Sequence, residues 1–468
     1  MGRFMGLVGI VVFIALGYAL SREKKAIHWK TIGWALALQW IFAVIVLKGD
    51  VLSHALSFIP FPKGTGWGVM ALMVSPALVK RFGAWDDKRV NWAVFGVVLL
   101  AALRGNLVGS TFDRMRQVVE ALMSFAKEGS TFVFGPLASP TGAQIVDAHG
   151  APFGSLGMIF AFVVLPTIIF VASIFAVLYY LGVMQWVVGA FARAISRFLK
   201  VSGAESVSVA ASILMGQTEA PLTIRPFLAK LTRSELMVVM TAGMAHVSGA
   251  IMVAYVQVAH VDIVHLLTAV IMTAPGAIMM AKLMEPETAV PETSALVHVD
   301  LPNTDANVLD AAARGASEGL HLAFNVAGML VAFIALVAMI NGIMKAFHPA
   351  FTMELVLGQA FRPFAFFMGV PWSEAGQVGA LLGKRMVVNE FVAFIELGQM
   401  HALSAKARLI STFALCGFAN FSSIAIQVGG IGALVPERRG DLARLGFKAM
   451  LAGTMANFLS ACIAGVLG

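Results

Sequence analysis

Two carboxylates stand in stretches that are otherwise almost wholly apolar: Glu219 in "ILMGQTEAP" (213–221) and Glu390 in "VNEFVAF" (388–394). A carboxylate in such surroundings costs on the order of several kcal/mol unless something compensates it. Each has polar company, Gln217 and Thr218 beside the first and Asn389 beside the second. Paired carboxylates suit two kinds of chemistry. One is acid–base catalysis. The other is recognition of an uncharged ligand dense in hydroxyl donors, for which a carboxylate is the strongest acceptor. The chain has no phosphate-cradling glycine loop, and the duplicated setting of the two carboxylates favours recognition. Blander readings stay open. Glu219 could pair with Arg225, and Glu390 with Lys384 or Arg385. Glu235 and Glu396 read as solvated helix or hairpin ends, and Asn420 and Ser423 alone as interhelical glue. His260 and His265 flank Asp262 near a helix end without a zinc-binding spacing, so no metal is expected there.

The elements that must position these residues are membrane helices. Of 468 residues, 59% are hydrophobic and only 12% charged, against about 25% charged in a soluble domain. Mean hydropathy is +0.86. Long apolar runs with rare internal charges predict an all-α polytopic membrane protein rather than a β-barrel. The net charge of +8 fits Lys and Arg in cytoplasmic loops and is no nucleic-acid footprint. Arg22, Lys24, Lys25 and Lys30 predict a cytoplasmic first loop, with the N-terminus outside. The first apolar stretch reads as a span, not a signal peptide. Cys416 and Cys462 both lie in apolar runs and give neither a disulfide framework nor a metal spacing.

Spans of about 20 residues are expected near 4–20, 32–49, 156–190 with an interruption at Pro166, 235–257, 263–283, 322–345, 408–432 and 443–467. Residues 203–231 and 374–400 are too polar and broken for ordinary spans. The acid- and Pro-rich stretch 285–307 is an exposed loop, and 308–320 a short amphipathic piece before the next span.

An internal repeat joins these observations. "GQTEAP" is followed by "GMAHVSG" (243–249), and "VNEFVAF" at similar distance by "GFANFSS" (417–423). Gly–apolar–Ala–polar–apolar–Ser thus occurs twice, each time after a Thr-Glu or Asn-Glu pair. Paired, interrupted apolar segments in corresponding halves point to a transporter's substrate site at the bilayer midplane, where half-helix ends supply dipoles. Alternating access is favoured over a passive channel or an intramembrane enzyme.

"GQTEAPLTIRPF", "NVLDAAARGASEGLHLAFNVAGMLVAFIALVAMIN", "NEFVAF" and "STFALCGFANFSSIAI" closely resemble the concentrative nucleoside transporter family, as do "GWALALQW" and the run from "FVVLPTIIF" to "VLYYLGVMQW". The likeness covers 1–50 and 131–468. It implies a homotrimer of bacterial type in the inner membrane, with eight or more spanning helices, two re-entrant hairpins, an inverted repeat and an elevator-type movement. The implied layout is scaffold helices (1–59), an insertion or extra helical hairpin (60–130), the third scaffold helix (131–202), hairpin one with its following helices (203–284), a loop, interfacial helix and sixth scaffold helix (285–350), and hairpin two with the last two helices (351–468). The implied activity is ion-driven import of nucleosides, with no cofactor. The resemblance places Gln217, Thr218 and Glu219 toward the base, Glu390, Asn420 and Ser423 at the ribose, and Phe418 and Ile251 as apolar walls.

The coupling ion is where this chain departs from sodium-coupled members. Where they carry Asn and a small hydroxyl residue, this chain has Ser212 and His246, with Met215 and Val247 as the backbone ligands of the same site. Serine is too short to replace an amide oxygen, and histidine is a poor Na⁺ ligand that titrates near neutral pH. Proton coupling through His246 or Glu219 is therefore expected. The alternatives are sodium coupling elsewhere and a His246 that merely packs and bonds Ser212 or a carbonyl.

Overall fold

The computed structural model describes residues 2–55, 107–139, 144–146, 152–293 and 305–468. Most of the expected insertion, 60–106, lies outside the described residues. The described residues are helical apart from loops and one small antiparallel ribbon. It begins with α1 (Gly2–Ala19), α2 (Trp29–Leu47), α3 (Gly49–Ala55) and α4 (Leu107–Phe134). The ribbon β1 (Gln144–Val146) and β2 (Pro152–Ser155) precedes α5 (Phe160–Tyr180) and α6 (Val183–Leu199). Next come α7 (Gly203–Ser212), a 3-10 helix (Ala220–Lys230), α8 (Arg233–Ala245), α9 (Gly249–Ala259) and α10 (Ile263–Met284). Then follow α11 (Val308–Phe347), α12 (Met353–Phe367), α13 (Trp372–Val387), α14 (Glu390–Gln399), α15 (Ala405–Leu415), α16 (Phe421–Leu434) and α17 (Arg439–Leu467). Among the described residues, six stretches are long and apolar enough to cross a membrane, with shorter apolar helices at Phe4–Ala19 and Phe421–Leu434.

The repeat is explicit. A hairpin (α7 and the 3-10 helix), a broken helix (α8–α9) and a closing helix (α10) recur as α13–α14, α15–α16 and α17. These elements form an inner body: 89% of the apolar window of Arg233–Ala259 is buried, against 17% in Val308–Phe347. Helix α5 packs against both α4 and α11 outside it.

Several expectations change. Pro166 does not interrupt the span 156–190; it stays inside α5. Proline removes the bond to the carbonyl four residues back, and the Ser130 hydroxyl donates to that carbonyl, Phe162 O, instead. The chain turns later, at Gly182, whose φ of +77° suits glycine. The amphipathic piece 308–320 and the span after it are one continuous helix, α11. Its Gly315 and Gly319 serve close packing: an added Cβ would meet Ala176 Cβ at 2.5 Å and Ala172 Cβ at 2.8 Å on α5. Helix α12 and the β-ribbon have no counterpart in the sequence reading.

Glu235 is no solvated end. It is 1% exposed and closes a capping box, its carboxylate accepting from Thr232 N–H at 2.8 Å. Glu396 pairs with Lys384 at 2.8 Å. Three cations from separate segments, Arg22, Arg233 and Lys448, converge on Glu285 at 3.0, 2.9 and 2.9 Å. Burial alone would raise that carboxyl, but the three partners outweigh it and hold Glu285 below the ordinary carboxylate range.

Candidate functional site

The breaks in α8–α9 and α15–α16 meet at the centre of the inner body. A helix that stops inside a protein leaves carbonyls unsatisfied, and here several of them find side-chain or backbone partners. Arg385, 1% exposed, donates to Gly417 O at 3.2 Å and Ala414 O at 2.8 Å, and also to Asn457 Oδ1. Asn457 Nδ2 donates to Ala245 O at 2.8 Å and Cys416 O at 2.9 Å. The Phe418 N–H donates to His246 O at 3.2 Å, tying the two breaks directly. Gly417 permits this approach, since a Cβ there would come within 2.7 Å of Ala245 O. Arg385 is thus engaged with carbonyls, and Lys384 with Glu354 and Glu396. Neither pairs with Glu390.

The ends of the interrupted helices present the polar side chains. Asn420 is the N-cap of α16: its Oδ1 accepts from Ser423 N–H at 2.9 Å and from the Ser422 hydroxyl at 2.7 Å. That leaves its Nδ2 free to donate to Glu390 Oε2 at 3.0 Å. Glu390 opens α14, behind the N-cap Asn389, where the positive end of the helix dipole favours an anion. The Ser423 hydroxyl accepts from Gln217 Nε2 at 3.2 Å, across from the tip of hairpin one. Gln217, Ser423, Asn420 and Glu390 therefore form one hydrogen-bonded chain joining the two repeats. Each is less than a tenth exposed.

The other expected residues fall around this chain. Ile251 is buried on α9 and Phe418 half-buried at the second break. Thr218 Cγ2 lies against Gly430 of α16, where a Cβ would come within 2.5 Å. Glu219 is not joined to the chain, and it is not buried as the sequence suggests. It is exposed, accepts from Gly216 N–H at 3.2 Å rather than from Arg225, and lines a cavity of about 420 Å³ together with Tyr179, Gln185, Met215 and Glu318. The hairpin tip docks on the first break through Gly249 N–H to Leu214 O at 3.0 Å. Near that break, Ser212 Oγ donates to Ser208 O at 2.9 Å, and His246 Nδ1 meets Ala242 O at 2.7 Å. The two do not bond one another; each returns to its own helix. His246 is 1% exposed, and its Nε2 makes no well-formed hydrogen bond. Val247 is fully buried.

Two groups that bond to this hydrogen-bonded chain escaped the sequence reading. Gln427 donates to Gln217 Oε1 at 3.3 Å and Met240 O at 3.1 Å. Its place one turn beyond Ser423 on α16, the same helix face, is the signal that could have found it. Tyr255 donates its hydroxyl to Glu390 Oε1 at 3.0 Å; it lies one turn beyond Ile251 in an apolar run, where an aromatic side chain looks like plain core.

The arrangement offers acceptors (Glu390, Gln217 Oε1) and donors (Asn420, Gln217, Gln427) between apolar walls, which fits a neutral, hydroxyl-rich ligand. Comparison with known proteins agrees. Models described as "Na+ dependent nucleoside transporter" match its N-terminal part at residues 8–61 and its C-terminal part at 265–465, and a "Nucleoside recognition" model matches 161–261. An uncharacterized transporter of Bacillus subtilis, YutK, is 44% identical over 100% of both chains. The nucleoside permease NupC of Helicobacter pylori is 39% identical over 74% of this chain and 83% of its own. The structure of CNTnw in an inward-facing substrate-bound state is 36% identical, with a TM-score of 0.80, over 99% of this chain and 98% of that one. The chain belongs to the concentrative nucleoside transporter family and has the all-helical fold of an elevator-type transporter, not of an enzyme.

Proposed function

We propose that this protein imports nucleosides across the inner membrane by proton symport, as a homotrimer, through alternating access. The observation that carries the substrate is the Gln217–Ser423–Asn420–Glu390 chain. Its bonds between hairpin one and α16 are long, 3.2 and 3.3 Å, against a usual 2.9–3.0 Å. Exchanging them for bonds to ribose hydroxyls and base edges therefore forfeits little. Glu390, Asn420 and Ser423 hold the ribose; Gln217, Thr218 and Glu219 approach the base, with Ile251 and Phe418 as walls.

Proton coupling rests on Ser212 and His246, which replace amide and small hydroxyl ligands and leave Met215 and Val247 carbonyls without side-chain help. Sodium symport is the second reading. The words "Na+ dependent" in the two matching family descriptions favour it. The trimer is taken from the family resemblance; the apolar side chains Val331, Ile334, Met339 and Ile343 of α11, more than half exposed in one copy, suit either a neighbouring copy or lipid.

Purified protein in liposomes, with labelled uridine and an inward proton or sodium gradient imposed separately, tests the reading. Uptake under the proton gradient alone is expected, from a particle with the mass of three chains. Uptake under sodium alone sinks proton coupling and keeps the substrate. Uptake of neither uridine nor a purine nucleoside sinks the substrate class. Accumulation of label driven by unlabelled internal uridine separates a carrier from a channel.

A further inference from the structure

Glu390 is held from two sides. Asn420 Nδ2 donates to Oε2, and the Tyr255 hydroxyl to Oε1, each at 3.0 Å. Tyr255 comes from the other repeat, 135 residues away, and is fully buried. Its ring is clamped by the helix that carries Glu390. It stacks on Phe394, with centroids 4.3 Å apart and planes at 17°, and tilts against Phe391 at 5.6 Å. The stacking fixes where the hydroxyl points, and a buried hydroxyl needs a partner. A glutamate's terminal torsion is broad, so one donor alone leaves its carboxylate free to swivel. With one donor on each oxygen the plane is set. A carboxylate has about four acceptor positions, so two remain for a ligand.

We propose that Tyr255 is a positioning residue for substrate binding: its hydroxyl sets the rotation of the Glu390 carboxylate, so that the remaining lone pairs face the ribose hydroxyls. This rests on the reading of Glu390 as the ribose acceptor. Tyr255 touches no substrate atom and acts through Glu390 alone. Its effect therefore extends only to ligands that offer hydroxyls to that carboxylate.

The test is Tyr255→Phe, which keeps the stacked rings and removes one oxygen. KM and Vmax in proteoliposomes are compared for uridine and for 2′,3′-dideoxyuridine, which lacks the 2′- and 3′-hydroxyls and keeps the 5′-hydroxyl. The uridine KM should rise roughly tenfold, the loss of one hydrogen bond to a charged group. Its Vmax, and the KM for the dideoxy compound, should stay within about twofold. A merely structural tyrosine would weaken both substrates together or lower Vmax for both, and either result overturns the proposal. So does an unchanged uridine KM. A melting curve of the variant in detergent confirms that it is folded. Where it does not fold, the same comparison is made in the unsubstituted protein: equal KM for the two compounds overturns the proposal, because Glu390 then takes neither the 2′- nor the 3′-hydroxyl. Where the unsubstituted protein carries a purine nucleoside and not uridine, the comparison uses that nucleoside and its 2′,3′-dideoxy form; failure to carry any of these sinks the nucleoside reading itself, and this inference with it.

Discussion

A single asparagine shows how local rules become a site. Asn420 caps α16 with its carbonyl oxygen and has an amide left over, which reaches Glu390. The cap that starts the helix is also the arm that holds the carboxylate, so the spacing Asn420–Ser423 carries both roles. His246 has no such double engagement. Its Nδ1 is used by Ala242 O, and Nε2, sealed from solvent, makes no well-formed hydrogen bond and has the Val270 carbonyl near it. If it carries the coupling proton, His246→Ala should abolish the pH dependence of uridine uptake while leaving exchange of internal for external uridine measurable. A pH profile of the variant that overlays the original assigns the proton elsewhere, with Glu219, which opens on the cavity, as the next residue to replace. At this scale most of the site was legible, because amides and carboxylates in apolar runs have few structural uses. Tyr255 and Gln427 were not, since an aromatic ring or a lone amide on a buried helix is also ordinary packing, and only coordinates show what the hydroxyl or amide meets.

Two half-helices that end inside the molecule are tolerable only if their free carbonyls and N–H groups are met. Asn457 and Arg385 do that for both breaks at once. Asn457→Ala strands Ala245 O, Cys416 O and one guanidinium hydrogen of Arg385. Each buried loss is about 1–3 kcal/mol, so the total should exceed the cost of removing an exposed helix cap, about 1 kcal/mol. Asn307→Ala on α11, an exposed N-cap, is the control. The Asn457 variant should unfold at a clearly lower temperature than the Asn307 variant in the same detergent. Equal melting points would mean that water or backbone shifts replace Asn457. The repeat and its interrupted helices were readable from the doubled Gly–Ala–polar–Ser pattern. Pro166 misled, because a proline reads as a break until a neighbour supplies a bond to the freed carbonyl. Asn457 itself gives no sign in sequence: its role depends on two loops far away in the chain.

At the scale of the whole molecule, the outer helices α4 and α5 touch the inner body through two polar links. Gln257 on α9 donates to Thr167 on α5 at 3.0 Å. Arg116 on α4 pairs with Asp262, the N-cap of α10, at 2.7 Å. An elevator-type movement slides the inner body past the outer helices, so both links belong to one end of the stroke and must break on the way to the other. Arg116 also bonds Asp113 on its own helix at 3.3 Å, which allows a controlled comparison. Asp262→Asn weakens the link between the two bodies; Asp113→Asn weakens only a pair within α4. A half-exposed pair is worth about 0.2–1 kcal/mol, enough to move a two-state population by roughly one and a half- to fivefold. Leu222→Cys, beside Glu219 in the cavity, reports that population through its rate of modification by an impermeant maleimide, because Cys416 and Cys462 are buried and unreactive. In the Asp262 variant, labelling from the side that reaches this cavity should slow by up to that factor. In the Asp113 variant it should not change. Equal rates in both variants would mean that the Arg116–Asp262 pair does not distinguish the two ends of the stroke, and that the sliding surface carries that turn of α10 along with α4.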